Sequence, residues 1–409
     1  MIDKETIKQV IALQRQSLDK AEVGTPREEQ KEFTILDSFA IIITGVRRCG
    51  KSTLLHQLIK KQKKAYYINL EDPRLGEFDL NDFNKIEAIM EELYGKGGTY
   101  FFDEIQNISQ WERYIRYLVD KKEKVVLTGS NAALLSKELG TRLTGRHLSY
   151  ELFPFSFKEF LSLKKAEPSL DSFKEYLFQG GFPEFLKKNN STILHDLLSD
   201  IIMKDIAIRF NIKNTETLRK IAIFLISNVG TEFSYNSIKK MLDIKSVQSV
   251  IDYVCFFENA YLIFSVPRFS YSFKQQQINP KKAYSIDNGF SSSNSASFSK
   301  DAGKMLENLV FLALRRKYKD IFYFQEKKEC DFVIKEKEKV TKAIQVCYNL
   351  NEDTKDREIN GMLEALKEFK LDKGLMLTYD QDDEFKIEGK TIKVLPVWKW
   401  LLEEKNVPI

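Results

Sequence analysis

An eight-residue stretch near the amino terminus constrains the fold of this 409-residue chain more than any other feature. Residues 45–52 read Gly-Val-Arg-Arg-Cys-Gly-Lys-Ser, which matches the pattern G-x-x-x-x-G-K-S/T at every fixed position. An apolar run at residues 41–44 precedes it, and a helical pattern at residues 53–59 follows. The combination predicts a glycine-rich turn between a buried strand and a helix, where backbone N–H groups and the helix amino terminus bind phosphate.

The residues of this loop are the predicted nucleotide-binding residues. Lys51 is expected to reach the β- and γ-phosphates, and the Ser52 hydroxyl is expected to ligate Mg²⁺. ATP and Mg²⁺ are therefore the expected cofactors. The full predicted set is Gly45, Val46, Arg47, Arg48, Cys49, Gly50, Lys51, Ser52 and Thr53.

A second hydrophobic run ends in two carboxylates. Residues 99–102 are largely apolar, and Asp103 and Glu104 follow directly. An ATP-hydrolysing loop protein needs one acid for the Mg²⁺ shell and a group that polarises the attacking water. We therefore expect Asp103 to join Ser52 at the metal and Glu104 to act as the general base.

Polar residues further along the chain are weaker candidates. A strand-like run at residues 125–128 ends in Gly-Ser-Asn, so Ser130 or Asn131 could orient water beside the γ-phosphate, although an ordinary turn has the same composition. Arg142 and Arg146 follow, and either could stabilise charge on the transferred phosphoryl group as an arginine finger. A surface ion pair explains each arginine equally well.

Composition excludes several classes of protein. The chain is 43% hydrophobic and 30% charged, so it can build real cores and is not mainly disordered. It lacks an apolar stretch of membrane-spanning length, which predicts a soluble, cytoplasmic protein without membrane contact. The four cysteines and three histidines are scattered, which argues against disulfides and a zinc cluster. The net charge of +5 is too small to drive nucleic-acid binding without a local basic face.

With these motifs in view, most of the chain resembles a family of prokaryotic AAA+ ATPases. The resemblance rests on GVRRCGKSTLL, FFDEIQNISQWERYIRYL, VVLTGSNAALLSKE, LTGRHLSYELFPFSFKEF, GGFPEFL, IIMKDIAIR and KKAYSIDNGF. It implies nucleotide and Mg²⁺ binding by Lys51 and Ser52, and an acidic pair formed by Asp103 and Glu104. It also implies Asn131 as the polar sensor and Arg146 as the finger.

The fold class expected from the pattern and the resemblance is α/β with several parts. Short apolar runs alternate with amphipathic stretches over residues 36–155, which predicts βαβ units and a parallel sheet. A Ser-rich stretch at residues 291–299 is interpreted as a linker or mobile loop. The predicted parts are an N-terminal helical segment at 1–35, the AAA+ P-loop core at 36–155, a helical lid at 156–210, a winged-helix-like segment at 211–290 and a restriction-endonuclease-like α/β domain at 291–409.

The middle segment has the helices of a winged helix but a poor face for reading DNA. Its third predicted helix, at residues 246–258, begins with Ser246, Gln248 and Ser249, which could touch bases, yet the rest of that helix is mostly apolar. Basic residues lie around the helix instead, and their contacts would go to phosphates without sequence preference. A winged helix that packs against protein is an equally good interpretation.

The C-terminal domain keeps part of a PD-(D/E)xK nuclease site. Glu307 and Asp331 match two of the acids that such a site uses to hold Mg²⁺, and they form a candidate vestigial second metal site. Gln345 stands where a third acid is expected, and Cys347 stands where the lysine is expected. An amide is a poor ligand for a hard cation, so the resemblance predicts the fold without cleavage.

The predicted function is that of a Mg²⁺-dependent AAA+ ATPase whose hydrolysis drives a conformational change on nucleic acid or a protein partner. A homo-oligomer is a candidate assembly. One alternative is a nucleotide-switched scaffold with slow turnover, and another is an ATP-gated nuclease in defence or mobile-element biology. GTP preference is not expected, because the nearest guanine-reading string, at residues 84–87, precedes the acidic strand.

Overall fold

The computed structural model describes residues 2–31, 33–131, 143, 145–296 and 301–403. The chain divides into two compact units, Met1–Phe153 and Pro154–Ile409. The expected end of the P-loop core, at residue 155, lies within two residues of this division. Each unit has its own sheet or sheets and is described by itself.

The first unit is built on a parallel five-stranded sheet in the order β2-β3-β4-β1-β5. The four strands β1 to β4 are mostly buried and rich in β-branched and aromatic residues, as expected when both faces of a sheet are covered. This confirms the predicted α/β class. The strands are β1 (Ala40–Thr44), β2 (Ala65–Asn69), β3 (Thr99–Asp103), β4 (Val125–Gly129) and β5 (His147–Glu151).

Among the described residues of the first unit, the helices α1 (Lys4–Lys20), α2 (Lys51–Ile59), α3 (Phe83–Tyr94) and α4 (Trp111–Asp120) accompany this sheet. The first begins at an Asp3 cap and, despite its polar composition, buries Ile7, Val10 and Ile11 completely against the core around β2 and α3. The amino-terminal helical segment is therefore part of the first unit's core.

The second unit begins with a run of helices. They are α5 (Phe157–Lys164), α6 (Leu170–Gln179), α7 (Pro183–Lys188) and α8 (Thr192–Asp200), followed by a π-helical segment at Ile201–Ile208. The segment expected to be a helical lid is indeed helical, and its helices pack within the second unit.

Three helices and a small antiparallel sheet follow. The sheet has the order β6-β8-β7. The elements are α9 (Thr215–Ser227), β6 (Thr231–Phe233), α10 (Tyr235–Met241), α11 (Val247–Asn259), β7 (Ile263–Pro267), α12 (Phe273–Ile278) and β8 (Lys281–Ser285). Helix α11 lies within one residue of the bounds predicted for the third helix of this segment.

The Ser-rich stretch is not a linker over the part that the structure describes. Residues Asn288–Asn294 form helix α13, capped by Asp287, and Ser291 and Asn294 are buried. The Asn294 amide donates to the carbonyls of Leu194 and Phe290. Small polar side chains suit this close packing, and the composition alone does not reveal that.

Asp287 also explains the glycine pair in the GGFPEFL motif. Its carboxylate accepts hydrogen bonds from the Gly181 and Phe290 amides at 2.6 and 2.9 Å. A Cβ at Gly180 would lie 2.1 Å from a carboxylate oxygen of Asp287, and one at Gly181 would lie 2.3 Å from the Phe155 carbonyl. The GGFPEFL motif and the KKAYSIDNGF motif, which contains Asp287, are therefore in direct contact in the interior of the second unit.

The chain ends in a mixed six-stranded sheet in the order β13-β14-β12-β11-β10-β9. Its elements are α14 (Ala302–Lys317), β9 (Ile321–Gln325), β10 (Glu329–Glu336), β11 (Lys339–Cys347), α15 (Glu352–Glu368), β12 (Lys373–Thr378), β13 (Asp383–Ile387), β14 (Lys390–Pro396) and α16 (Val397–Glu403). Among the described residues, none of the helices combines the length and apolar character that crossing a bilayer would require.

Candidate nucleotide-binding site

The phosphate loop joins the buried end of β1 to the first turn of α2. Gly45 must be a glycine, because a Cβ there would lie 2.1 Å from the Leu152 carbonyl oxygen. Gly50 has φ +104°, which side-chain-bearing residues rarely adopt, and it lies directly before Lys51. The loop therefore curls tightly before the helix, as the sequence pattern predicts.

Lys51 lies inside the curled loop with 4% of its side chain exposed. Its ammonium donates to the Gly45 and Val46 carbonyls at 3.2 and 3.3 Å. The Glu104 carboxylate is 3.5 Å away. A positive charge is therefore fixed inside the loop, between backbone carbonyls and the Glu104 carboxylate.

The buried carboxylate of Asp103 ends β3 and faces α2. The Ser52 hydroxyl hydrogen-bonds to it, and the Thr128 hydroxyl donates to its Oδ1 atom. The Tyr67 hydroxyl lies 3.3 Å from Oδ2. Burial, followed by repulsion from Glu104, raises the pKa of Asp103. A cation bound here would favour the ionised carboxylate.

Glu104 follows in the left-handed region, with φ 55°. Its backbone N–H donates to Thr128 Oγ1 at 2.9 Å, which fixes the turn after β3. The Gln106 amide donates to the Glu104 carboxylate. Burial acts to raise the pKa of Glu104, but Lys51 and the Gln106 hydrogen bond outweigh it and the pKa is lowered. The group is therefore an ionised carboxylate that can accept a proton.

The polar residues after β4 lie near the acidic pair. Ser130 is buried, and its hydroxyl accepts a hydrogen bond from the Gln106 amide at 3.3 Å. Asn131 comes next and is also buried. Gln106 thus joins the Glu104 carboxylate to the end of β4.

The two candidate fingers are not equivalent in what the structure describes. Arg142 lies outside the described residues. Arg146 precedes β5, and its carbonyl accepts a hydrogen bond from the Ala40 amide at the start of β1. Its half-exposed guanidinium pairs with Asp120 at the end of α4. Arg146 therefore lies at the amino-terminal end of the parallel strands, whereas the phosphate loop follows the carboxyl-terminal end of β1. The length of this five-residue strand separates them by roughly 16 Å.

Some residues of the site were not identified from the sequence. Arg27 is buried and donates to the carbonyls of Cys49 and Phe153 at 2.8 and 2.7 Å, so it supports the loop from behind. Thr128 and Gln106 hold the acidic pair. The Thr128 position, directly before Gly129, was the available signal, whereas the contacts of Arg27 and Gln106 depend on tertiary structure.

The arrangement fits a magnesium–nucleotide complex. Lys51 lies at a helix amino terminus, and the exposed Ser52 hydroxyl is next to the buried Asp103 carboxylate. Oxygen ligands of this kind are those that Mg²⁺ prefers, beside phosphate oxygens and water. Glu104 lies beside them as an acceptor of protons. The residues expected to act together are therefore brought together in one site.

The predicted C-terminal residues surround a lysine. Glu307 on α14 and Asp331 on β10 both lie 3.1 Å from the ammonium of Lys282. Gln345 accepts a hydrogen bond from the Asp331 amide and donates to Glu358. Among the residues described, no group of three or more His, Cys, Asp and Glu side chains is arranged to hold a metal ion.

The fold and the first site define a P-loop protein of the AAA+ class. A family model described as an AAA domain matches residues 37–161. Two models described as domains of unknown function, DUF8612 and DUF4143, match residues 170–300 and 302–400. The phosphate loop, the acidic pair and Arg146 all lie within the AAA match.

The chain is similar over its whole length to proteins of other prokaryotes. It is 35% identical to the uncharacterized protein MJ1544 of Methanocaldococcus jannaschii, with 98% of this chain and 96% of that protein covered. It is 30% identical to an uncharacterized protein of Haemophilus influenzae, with 94% and 100% covered. The chain therefore belongs to the family of prokaryotic AAA+ ATPases that includes these proteins. AMPPCP-bound DnaA from Aquifex aeolicus aligns with 15% identity over 61% of this chain and 88% of that chain, at a TM-score of 0.28.

Proposed function

We propose that this protein is a Mg²⁺-dependent ATPase that uses hydrolysis to change the conformation of its second unit. The observation that carries the proposal is the convergence of Lys51, Ser52, Asp103 and Glu104 at the end of β1 and β3. A structural turn needs neither a buried acidic pair nor a buried lysine. Mg²⁺, when bound to Ser52 and Asp103, would neutralise phosphate charge.

The protein's own residues would divide the remaining work. Lys51 exchanges its carbonyl partners for the β- and γ-phosphate oxygens, which are stronger acceptors because they are charged. Glu104 accepts the proton of the attacking water. Gln106, Ser130 and Asn131 hold that carboxylate and the water in line. Thr128 fixes the direction of both acids.

The arginine finger would come from a second copy of the chain. Because Arg146 lies at the other end of the strands from the phosphate loop, its side chain cannot reach the phosphate loop of the same chain. It is half exposed and pairs with the similarly exposed Asp120, and such surface pairs are weak. Release from Asp120 would let it stabilise phosphoryl charge in a neighbouring subunit.

The middle segment is proposed to be a winged helix, on the basis of its three helices and the sheet order β6-β8-β7. Gln248, at the start of α11, donates to Asp252 at 2.9 Å, which occupies a candidate base-reading group. Any nucleic-acid contact of this segment would therefore go mainly to phosphates. A protein partner remains the alternative. The C-terminal domain is proposed to have a nuclease-like fold without cleavage activity.

Steady-state phosphate release with ATP and Mg²⁺, measured with and without duplex and single-stranded DNA, tests this proposal. Multiple turnovers stimulated by DNA support a motor or remodeller acting on nucleic acid. Slow turnover that DNA does not change favours the nucleotide-switched scaffold. DNA cleavage that requires ATP would instead support the gated nuclease.

A mixing experiment tests the shared site. Arg146→Ala should retain ATP affinity and lose roughly 10³-fold or more in turnover. Lys51→Ala should lose ATP binding. Mixing the two variants should restore part of the activity, because one supplies the phosphate loop and the other supplies the finger. Absence of rescue, with a monomeric mass at all concentrations in ATP, would contradict the shared site.

A further inference from the structure

A buried lysine is enclosed by three carboxylates in the second unit. Lys282 lies on β8 with 3% of its side chain exposed. Its ammonium lies 3.1 Å from Glu307 Oε1, 2.7 Å from Glu329 Oε1 and 3.1 Å from Asp331 Oδ1. Glu307 and Asp331 are the acids that the sequence suggested for a vestigial metal site. A lysine from outside that motif lies between them.

The oxygens that a metal ion would need already have other partners. Glu307 Oε1 accepts the Tyr284 hydroxyl at 2.6 Å as well as the Lys282 ammonium. Asp331 uses Oδ1 for Lys282 and accepts the Val346 amide at Oδ2, at 2.9 Å. Gln345 stands where a third acid is expected, and its side-chain oxygen accepts a hydrogen bond from the Asp331 backbone amide.

The ammonium and the carboxyl groups of the cluster shift each other's pKa. Burial and the neighbouring Asp331 raise the pKa of Glu307 to about 7, and Lys282 acts in the opposite direction. Burial alone would lower the pKa of Lys282, but Tyr284 and the surrounding carboxyl groups raise it well above its ordinary value. The short distances from the ammonium to the three carboxyl groups agree with this mutual stabilisation.

The cluster also joins two parts of the second unit. Lys282 belongs to the small sheet of the middle segment, whereas Glu307 lies on α14, and Glu329 and Asp331 lie on β10 of the C-terminal sheet. Breaking a buried ion-pair cluster by removing one partner leaves uncompensated charge, which makes such clusters costly to open. The middle segment and the C-terminal domain are thus held together at this point.

We propose that Lys282 is the resident cation of this acid cluster: its ammonium occupies the position of a divalent ion, excludes such ions and fastens β8 to α14 and β10. The C-terminal domain then lacks the metal that a nuclease needs. This inference does not depend on the proposed ATPase function. It applies whether or not the first unit hydrolyses ATP.

The test is a Mn²⁺ titration followed by electron paramagnetic resonance, on the full chain without nucleotide. All samples carry Asp103→Asn, which removes the carboxylate that is expected to bind the metal ion in the first unit. Lys282→Ala should gain a Mn²⁺ site at least about tenfold tighter than any in the parent. Lys281→Ala is the matched control. It removes the same charge from the same strand, at a half-buried residue whose ammonium donates to the Gln277 carbonyl.

A second variant covers a failure of Lys282→Ala to fold. The double variant Lys282→Ala/Glu329→Gln removes one positive and one negative charge, so the formal charge of the cluster is unchanged. It should fold, bind Mn²⁺ through Glu307 and Asp331, and show a Tm that rises with Mn²⁺. The parent and Lys281→Ala should show neither effect.

Three results would overturn the inference. One is a Mn²⁺ site in the parent that disappears on Asp331→Asn, because the cluster would then hold a metal with Lys282 present. Another is a folded double variant with no Mn²⁺ binding. DNA cleavage by the unmodified chain that is lost on Lys282→Ala would also contradict it, since the lysine would then be catalytic.

Discussion

Two sites in this protein are built from a buried lysine and carboxylates, and they differ in how the lysine is satisfied. In the first unit, Lys51 touches two backbone carbonyls and lies 3.5 Å from one carboxylate. In the second unit, Lys282 lies within 3.1 Å of three carboxylates. The ammonium of the first lysine lies at the limit of an ion pair with Glu104, whereas that of the second is in close contact with three carboxyl groups.

The difference teaches that residue type alone does not define a charged site. The lysine that follows Gly50 lies at a helix amino terminus, where both the loop and the helix favour an incoming anion. Lys282 lies on the strand β8, and its ammonium pairs with Glu307, Glu329 and Asp331. The arrangement around Lys51 suits reversible binding of an anion, and the arrangement around Lys282 suits a permanent structural contact.

The largest expected effect separates the two sites by catalysis. Glu104→Gln should lower ATP turnover by roughly 10²–10⁴-fold with ATP affinity retained, because it removes the proton acceptor and keeps the ground-state contacts. Glu307→Gln should leave turnover unchanged at temperatures where both variants are folded. Phosphate release and nucleotide binding are measured on each. A comparable loss of affinity in Glu104→Gln would contradict its role as a base.

The next expected effect separates the sites by stability. Lys282→Met should destabilise the second unit by about 3–5 kcal/mol, because three carboxylates lose their counter-charge. Lys51→Met should cost less, since the Glu104 carboxylate is 3.5 Å from the Lys51 ammonium, farther than the carboxylates around Lys282. In urea unfolding, fluorescence reports the second unit through Trp398 and Trp400 in a Trp111→Phe background, and the first unit through Trp111 in a Trp398→Phe/Trp400→Phe background. Equal destabilisation by both substitutions would remove the distinction.

Asp287 in the second unit is a buried acid whose hydrogen-bond donors are backbone amides. It should make the free energy of unfolding depend on pH. Burial raises the pKa of Asp287 to about 6, although the amides of Gly181 and Phe290 offset part of this effect. The folded state then keeps a proton that the unfolded state releases near pH 4. Stability from this group is therefore present below about pH 4 and is lost as the pH rises to about 6, by about 3 kcal/mol at most.

The Asp287 effect is measured as the difference between the unmodified chain and Asp287→Asn across pH 4–7, with the same fluorescence readout. The slope attributed to Asp287 should be absent from the variant. The Asp287→Asn substitution is not expected to preserve full stability, because an amide supplies one acceptor oxygen and Asp287 uses two. A difference that stays constant across this range would show that Asp287 is ionised throughout.

The smallest expected effect concerns the residue that orients the first acidic pair. Thr128→Val keeps the shape of the side chain and removes hydrogen bonds to Asp103 and to the Glu104 amide. Turnover should fall about tenfold, equivalent to about 1.4 kcal/mol, with a smaller change in ATP affinity. Thr378→Val, in the C-terminal sheet, is the matched control for loss of a buried threonine hydroxyl.

The sequence predicted the first unit well, because the signals there are local. A glycine-rich loop has few conformations that can join a buried strand to a helix, and the acidic pair after residue 102 ends β3, which lies in the same parallel sheet as β1 with β4 between them. The α/β class and the AAA+ family were therefore predicted correctly. The roles of Asn131 and Arg146 stay predictions, and Arg142 lies outside the described residues.

The sequence predicted less of the second unit, because its decisive contacts join distant residues. Lys282 is 25 residues from Glu307 and 49 from Asp331, and its own surroundings in the sequence, a short basic and aromatic strand, do not indicate an acid partner. Composition predicts a linker or mobile loop for the Ser-rich stretch, yet the Asp287 cap and tight packing make its described part helical. Long-range partners decided both outcomes.

Phosphate release from ATP by the full chain and by Lys51→Ala tests the central claim most directly. The account predicts multiple turnovers for the unmodified protein with Mg²⁺, and a fall to the background rate for Lys51→Ala. It also predicts that Lys281→Ala, a lysine substitution outside both sites, keeps the unmodified rate. Phosphate release that survives undiminished in Lys51→Ala would contradict the claim that the phosphate loop of the first unit is where this protein hydrolyses ATP.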